Sequence, residues 1–169
     1  MEWLAGLGWY SPGVRERPET LWSRNLPEIR ALYLEYNAVA HPQGETTTQF
    51  GARLKAALRE NNNTHLIVDI RHNSGGNTLL YPPLLNAIIH FRESSPDHQI
   101  WVITSRRTFS AAQNFASTLD RYITDAIFVG EPTGSRPNFV GESPPGHSAL
   151  QRTARVHLVV LPPERRRHR

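Results

Sequence analysis

Cysteine is absent from the 169 residues. Disulfide staples and thiolate nucleophiles are thereby excluded, and cysteine usage leaves no mark of redox compartment. Lysine is nearly absent too: Lys55 is the only one. No apolar run approaches the length of a membrane span. The opening MEWLAGLGWYSPG lacks the basic start and long apolar centre of a secretory signal. The default expectation is therefore a cytoplasmic chain without membrane contact. A basic face is missing as well. Met1 to Gly141 carries 13 basic and 13 acidic residues, so the net charge of +4 belongs to the stretch from Glu142 onward, which ends ERRRHR. A terminal arginine run reads as a solvated tail, and nucleic acid is not expected as a partner.

What is present is an alternation of elements. Met1 to Pro27, rich in Trp, Gly, Pro and Arg, has no clear period and is expected to be an irregular arm. Ala31 to Asn37 reads as a strand. Thr46 to Asn62 reads as a helix with Phe50, Leu54, Ala57 and Leu58 on one face. The run LIVDI, Leu66 to Ile70, suits a strand covered on both sides. Leu79 to Phe91 is apolar, and Pro82 and Pro83 confine its helical part to the residues after them. Gln99 to Thr104 is a strand, Ser110 to Ile123 a helix and Ala126 to Gly130 a strand. Strands separated by helices predict an α/β fold with a largely parallel sheet, whose ligands gather at the carboxyl ends of strands.

Two loops at such ends carry chemistry. In Ile103–Arg121, ITSRRTFSAAQNFASTLDR, Ser110 falls between a strand and a helix. Free amides and the helix dipole there favour a developing oxyanion beside a hydroxyl nucleophile. The same residues also fit S-x-x-Q, a capping box in which the serine only closes the helix start. In Asp69–Asn77, DIRHNSGGN, paired glycines permit positive φ and close backbone approach. Their amides can form an anion-binding concavity, although a plain strand-to-helix turn has the same composition. Asp69 and Arg71 can brace that turn as an ion pair. A third loop, Val129–Asn138 (VGEPTGSRPN), again comes after a strand.

Taken in order, LIVDIRHNSGG, TSRRTFSAAQNFA and FVGEPTG resemble the tail-specific proteases, also called C-terminal processing peptidases. The likeness runs over roughly Leu21 to Glu142 and is nearer to the branch related to interphotoreceptor retinoid-binding protein and the tricorn core. The resemblance implies a Clp protease and crotonase-like core of stacked strand–strand–helix units. It implies Ser110 as nucleophile, with the amides of Gly75, Gly76 and Ala111 as oxyanion donors. The implied substrate is a polypeptide, with no metal and no organic cofactor.

The base departs from the family pattern. Much of the family places a lysine shortly after V-G-E; here that region reads Gly134-Ser135-Arg136-Pro137. A guanidinium does not deprotonate, so Arg136 cannot serve. His72, in the glycine loop, and His41, after the first strand, are the candidates for general base. Glu131 and Asp69 can orient a base or be structural. The organisation expected is an arm over 1–27, a peptidase-like core over 28–142 and a basic Pro/Arg-rich tail over 143–169, in which Arg155 to Leu161 could form a strand. The change of composition after Glu142 suggests a reading frame with a late start and a shifted or unrelated C-terminus. These residues leave three functions open: a serine-type peptidase; a non-catalytic peptide-binding relative or inactive fragment in which Ser110 caps a helix; and, more remotely, an acyl-thioester enzyme on the crotonase scaffold.

Overall fold

Strand propensity peaks in two runs, HLIVD and QIWVIT, and both become central strands. The computed structural model describes residues 19–135. The tail over 143–169, the strand expected at Arg155 to Leu161, residues 136–138 of the third motif and the first 18 residues of the arm lie outside that range. The strands are β1 (Leu21–Leu26), β2 (Ala31–Tyr36), β3 (His65–Asp69), β4 (Gln99–Thr104) and β5 (Ile127–Gly130); the helices are α1 (Thr47–Glu60), α2 (Pro82–Glu93) and α3 (Ala111–Tyr122). The sheet order is β1-β2-β3-β4-β5. β1 runs antiparallel to β2, and all other pairs are parallel. The expected largely parallel α/β sheet is therefore present, opening with a strand–strand–helix unit and continuing with strand–helix units.

One correction falls on the arm. Within the stretch read as irregular, Leu21–Leu26 pairs with β2 from Leu21↔Tyr36 to Leu26↔Ala31. Its sequence, LWSRNL, shows no clean alternation because it is an edge strand held by its neighbour rather than by its own pattern. A tight turn, Pro27–Ile29, closes the hairpin, and Arg30 takes a left-handed conformation at φ 51°.

Each parallel crossover returns to the adjacent strand, and right-handed connections then place every helix on one face. The packing agrees. The larger core joins Leu32, Leu34, Leu66, Val68, Ile100 and Val102 to Phe50, Leu54, Leu84, Ile88, Phe115 and Leu119 from the helices. The opposite strand positions form a smaller cluster, Leu26, Ala31, Tyr33, Ile67, Ile103 and Val129. α1 starts with a complete capping box: the Thr46 hydroxyl accepts from the Gln49 amide, and the Gln49 side chain accepts from the Thr46 amide. α2 starts at the proline pair. Leu79, ahead of the prolines expected to confine the helix, lies in a short 3-10 turn, Thr78–Leu80, and is exposed. No helix among the described residues is long and apolar enough to cross a membrane.

Candidate active site

β3 and β4 are adjacent and parallel, in register from His65↔Gln99 to Asp69↔Ile103. The loops after them therefore leave the same edge side by side. Side chains and backbone then bind the two loops together. The buried Thr108 hydroxyl donates to the Ile70 carbonyl at 2.9 Å, the Ser105 hydroxyl donates to the Arg71 carbonyl, and the Phe109 amide donates to the Asn73 carbonyl at 3.1 Å. The third motif joins them. The Gly134 amide donates to the Thr108 carbonyl at 2.9 Å, and the Thr104 hydroxyl donates to the Glu131 carbonyl at 2.8 Å. Three segments far apart in sequence thus share one strand edge.

Ser110 sits where they converge. Its backbone is held at φ 54°, ψ −126°, a conformation rare outside glycine. Its side chain makes no capping bond to α3. The capping-box expectation for Ser110 and Gln113 is therefore corrected. An N-cap needs extended backbone to aim its oxygen at the first turn, and this φ points it elsewhere. Gln113 is buried and turns its amide toward the Ser117 hydroxyl at 3.4 Å. Positive φ at a serine joining strand to helix is the geometry of a nucleophile elbow, in which local strain presents the hydroxyl.

The twin glycines meet this serine. Gly75 is at φ +114°, and a Cβ added there would lie 2.6 Å from Ser110 Cβ and 3.1 Å from Ser110 Oγ. Any side chain at position 75 would occupy the space of the serine. Gly76, at φ +140°, lies so close to Val39 that a Cβ would be 2.3 Å from its carbonyl oxygen. The glycine loop is fixed by ladder bonds to Val39, whose amide donates to the Gly75 carbonyl at 2.8 Å and whose carbonyl accepts from the Asn77 amide at 2.8 Å.

Asn73 organises this loop, a role that the sequence alone does not assign. It is fully buried; its Nδ2 donates to the Tyr36 carbonyl at 2.9 Å, and its Oδ1 accepts from the Gly75 amide at 2.9 Å. The Gly75 amide is therefore committed, which corrects its expected place among free oxyanion donors. An asparagine two residues before a glycine carries the signal for such a turn. The Gly76 amide takes part in neither ladder bond to Val39. Ala111 opens α3, so no preceding helical turn supplies an acceptor for its amide.

The acid–base candidates differ in how free they are. His41 Nδ1 accepts from the Thr47 amide at 3.1 Å and so helps close the start of α1; that lone pair is spent. His72 is exposed, three residues before Gly75, and makes no side-chain hydrogen bond to the described residues. Asp69 is 1% exposed and braces the turn. Its Oδ2 accepts from Arg71 Nε at 2.8 Å and from the Tyr33 hydroxyl at 2.5 Å. Burial and the Asp69 charge push the Tyr33 phenol far above its ordinary value. Burial alone would lower the Arg71 guanidinium, but Asp69 holds it above its usual range. Glu131 is exposed, and its carboxylate accepts only a long 3.4 Å bond from the Arg106 amide.

No family model and no curated protein matches this sequence. Solved structures do. A candidate peptidase from Parabacteroides merdae superposes with a TM-score of 0.51 at 16% identity, over 76% of this chain and 48% of its own. The photosystem II D1 C-terminal processing protease superposes with a TM-score of 0.51 at 17% identity, over 71% of this chain and 38% of its own. The chain thus spans less than half the length of either protein. The three motifs and the superposed architecture agree, and the fold of this chain is that of the C-terminal processing, or tail-specific, proteases.

Proposed function

We propose that this chain is the core of a serine-type peptidase acting on polypeptide substrates. Ser110 Oγ attacks the scissile carbonyl, and the amides of Gly76 and Ala111 receive the oxyanion. The observation that carries this reading is the positive φ of Ser110, with its hydroxyl withheld from α3 and its side chain filling the space that a Cβ on Gly75 would take. A plain helix cap has no use for that conformation. Two backbone donors of this kind are each worth on the order of 100-fold or more in rate. His72 is assigned the general base in preference to His41, whose Nδ1 is occupied. No cofactor is assigned.

The test is covalent labelling by a fluorophosphonate. The folded chain labels, Ser110→Ala abolishes labelling, and His72→Asn slows it by roughly 100-fold or more. A folded chain that does not label overturns the peptidase reading. A second reading is favoured by one observation: among the described residues no base is hydrogen-bonded to Ser110 Oγ. On that reading the chain is a peptide-binding relative that holds an extended segment without cleaving it. It predicts saturable peptide binding with no labelling.

A further inference from the structure

The third motif takes no part in the chemistry assigned to Ser110, but it holds a turn beside it. Ser105 to Thr108 closes that turn, with the Thr108 amide donating to the Ser105 carbonyl at 2.9 Å. One flank is tied to the glycine loop: the Thr108 hydroxyl donates to the Ile70 carbonyl, and the Ser105 hydroxyl to the Arg71 carbonyl. The other flank rests on the motif. The Gly134 amide donates to the Thr108 carbonyl at 2.9 Å, and the Arg106 amide donates to the Glu131 carboxylate at 3.4 Å. The approach is close: a Cβ on Gly134 would lie 2.3 Å from the Arg106 carbonyl oxygen. The backbone of the turn is therefore clamped from both sides.

The two residues at its tip are Arg106 and Arg107, and both are exposed. Neither guanidinium meets a carboxylate among the described residues; the ion pairs there belong to Arg53, Arg71 and Arg92. Asp69 is committed to Arg71 and Tyr33. Glu131 lies against the turn, yet it meets the Arg106 amide and not its guanidinium. Solvation alone is the plain account of exposed arginines. It leaves their place unexplained. The turn geometry needs neither arginine, and two neighbouring like charges repel without a contact in return. Sequences break local rules of this kind where a site requires it. Three residues of chain span at most about 11 Å, so Arg107 stands within reach of whatever Ser110 holds.

We infer that Arg106 and Arg107 select acidic peptides, each guanidinium taking a Glu or Asp side chain close to the bond presented to Ser110. The inference rests on the peptide site proposed above and names the class of peptide it takes. Arginine presents a planar fork that matches a carboxylate with two parallel bonds. The clamped backbone lowers the entropy lost when those bonds form. Two guanidinia at consecutive positions suit a pair of acidic side chains better than the single carboxylate of a chain end.

The experiment measures fluorescence anisotropy on the full chain carrying Ser110→Ala, which leaves bound peptide uncut. The probes are pools of short fluorescein-labelled peptides, amidated at the carboxyl end. They are built from alanine, leucine and serine around either two glutamates or two glutamines. The glutamate pool binds about tenfold more tightly, and the advantage shrinks between about 0.05 and about 0.5 M salt. Adding Arg106→Gln and Arg107→Gln together brings the pools within about twofold of each other. Adding Arg121→Gln, at the exposed end of α3, leaves the preference intact. Three results overturn the assignment: equal binding of the two pools, a preference that survives the double arginine variant, or a glutamine pool with a free carboxyl end that binds as well as the glutamate pool. Fluorophosphonate labelling of the parent chain decides the peptidase reading separately. Labelling without a glutamate preference retires the acidic selectivity alone, and the preference without labelling retires cleavage alone.

Discussion

Ser110 is held at φ 54° although it carries a Cβ, a conformation that costs on the order of 1–3 kcal/mol. Two substitutions separate strain from capping. Ser110→Ala keeps the Cβ and loses no cap bond, so its stability stays within about 0.5 kcal/mol of the parent; a true cap would cost about 1 kcal/mol. Ser110→Gly relieves the strain and gains about 1 kcal/mol after the extra freedom of the unfolded glycine is deducted. Urea unfolding of both variants measures this. A loss near 1 kcal/mol in the alanine variant would restore the capping role. The contrast with Thr46 shows why sequence was ambiguous here. Both positions read S/T-x-x-Q, yet only Thr46, at φ −86° and ψ 159°, has the extended backbone that makes a box. The unusual dihedral at Ser110 goes with its close approach to the Gly75 loop, a long-range contact that no local pattern encodes.

Tyr33 offers a second test at the same scale. Its phenol donates to the buried Asp69 carboxylate, and burial together with that charge raises its titration point. The unfolded chain ionises near pH 10, whereas the folded one holds the proton to higher pH. The stabilisation is therefore complete below about pH 10 and is lost as pH rises beyond it. Tyr33→Phe should cost about 1–3 kcal/mol near neutral pH, since Asp69 loses a donor. It should also flatten the alkaline decline, leaving the part due to Tyr36, which burial raises as well. Denaturant midpoints at pH 8 and about pH 11 check both. An unchanged alkaline slope in the variant would mean that the phenol is not tied to Asp69.

Between elements, the site depends on a few bonds that pin one loop to the next. Thr108 bridges them: its hydroxyl donates to Ile70, and its Oγ1 accepts from the Ser105 amide at 3.1 Å. Thr108→Val keeps the shape, leaves the Ser105 amide without its acceptor and takes one of two donors from the Ile70 carbonyl, which keeps the Asn73 amide, for a cost of about 1–2 kcal/mol. Gly75→Ala acts on the same junction from the other side. Its Cβ would overlap Ser110 Cβ, and overpacking with an unfavourable φ costs about 1–3 kcal/mol or more. Both variants should reduce fluorophosphonate labelling while the chain still folds. Full labelling in Gly75→Ala would mean that the two loops are not in contact. At this scale much was legible. Strong apolar runs gave β3 and β4 nearly to the residue, and the order of motifs along a parallel sheet placed their loops on one edge. β1 was not legible, because LWSRNL draws its order from pairing with β2. Asn73 was passed over although Asn-x-Gly signals a turn, because one of its two partners, the Tyr36 carbonyl, is brought to it only by the fold.

For the whole molecule, the sheet order implies an uneven distribution of stability. β3 lies between β2 and β4 and is buried over Leu66–Asp69. β1 has β2 as its one neighbour among the described strands, and four of its six residues are not fully buried. Amides in β3 can be released only by opening strands on both sides, which amounts to unfolding the core. Those of β1 need only the hairpin at Pro27–Ile29 to part. Native-state hydrogen exchange should therefore show β3 amides exchanging at the global limit and β1 amides faster by on the order of 100-fold. Added urea should leave the β1 rates nearly flat while the β3 rates climb, since local opening exposes little surface. If β1 and β3 exchange together at every urea concentration, the hairpin belongs to the cooperative core, and the loops at Ser110 would rest on a single unit rather than on a stable centre with a separable edge.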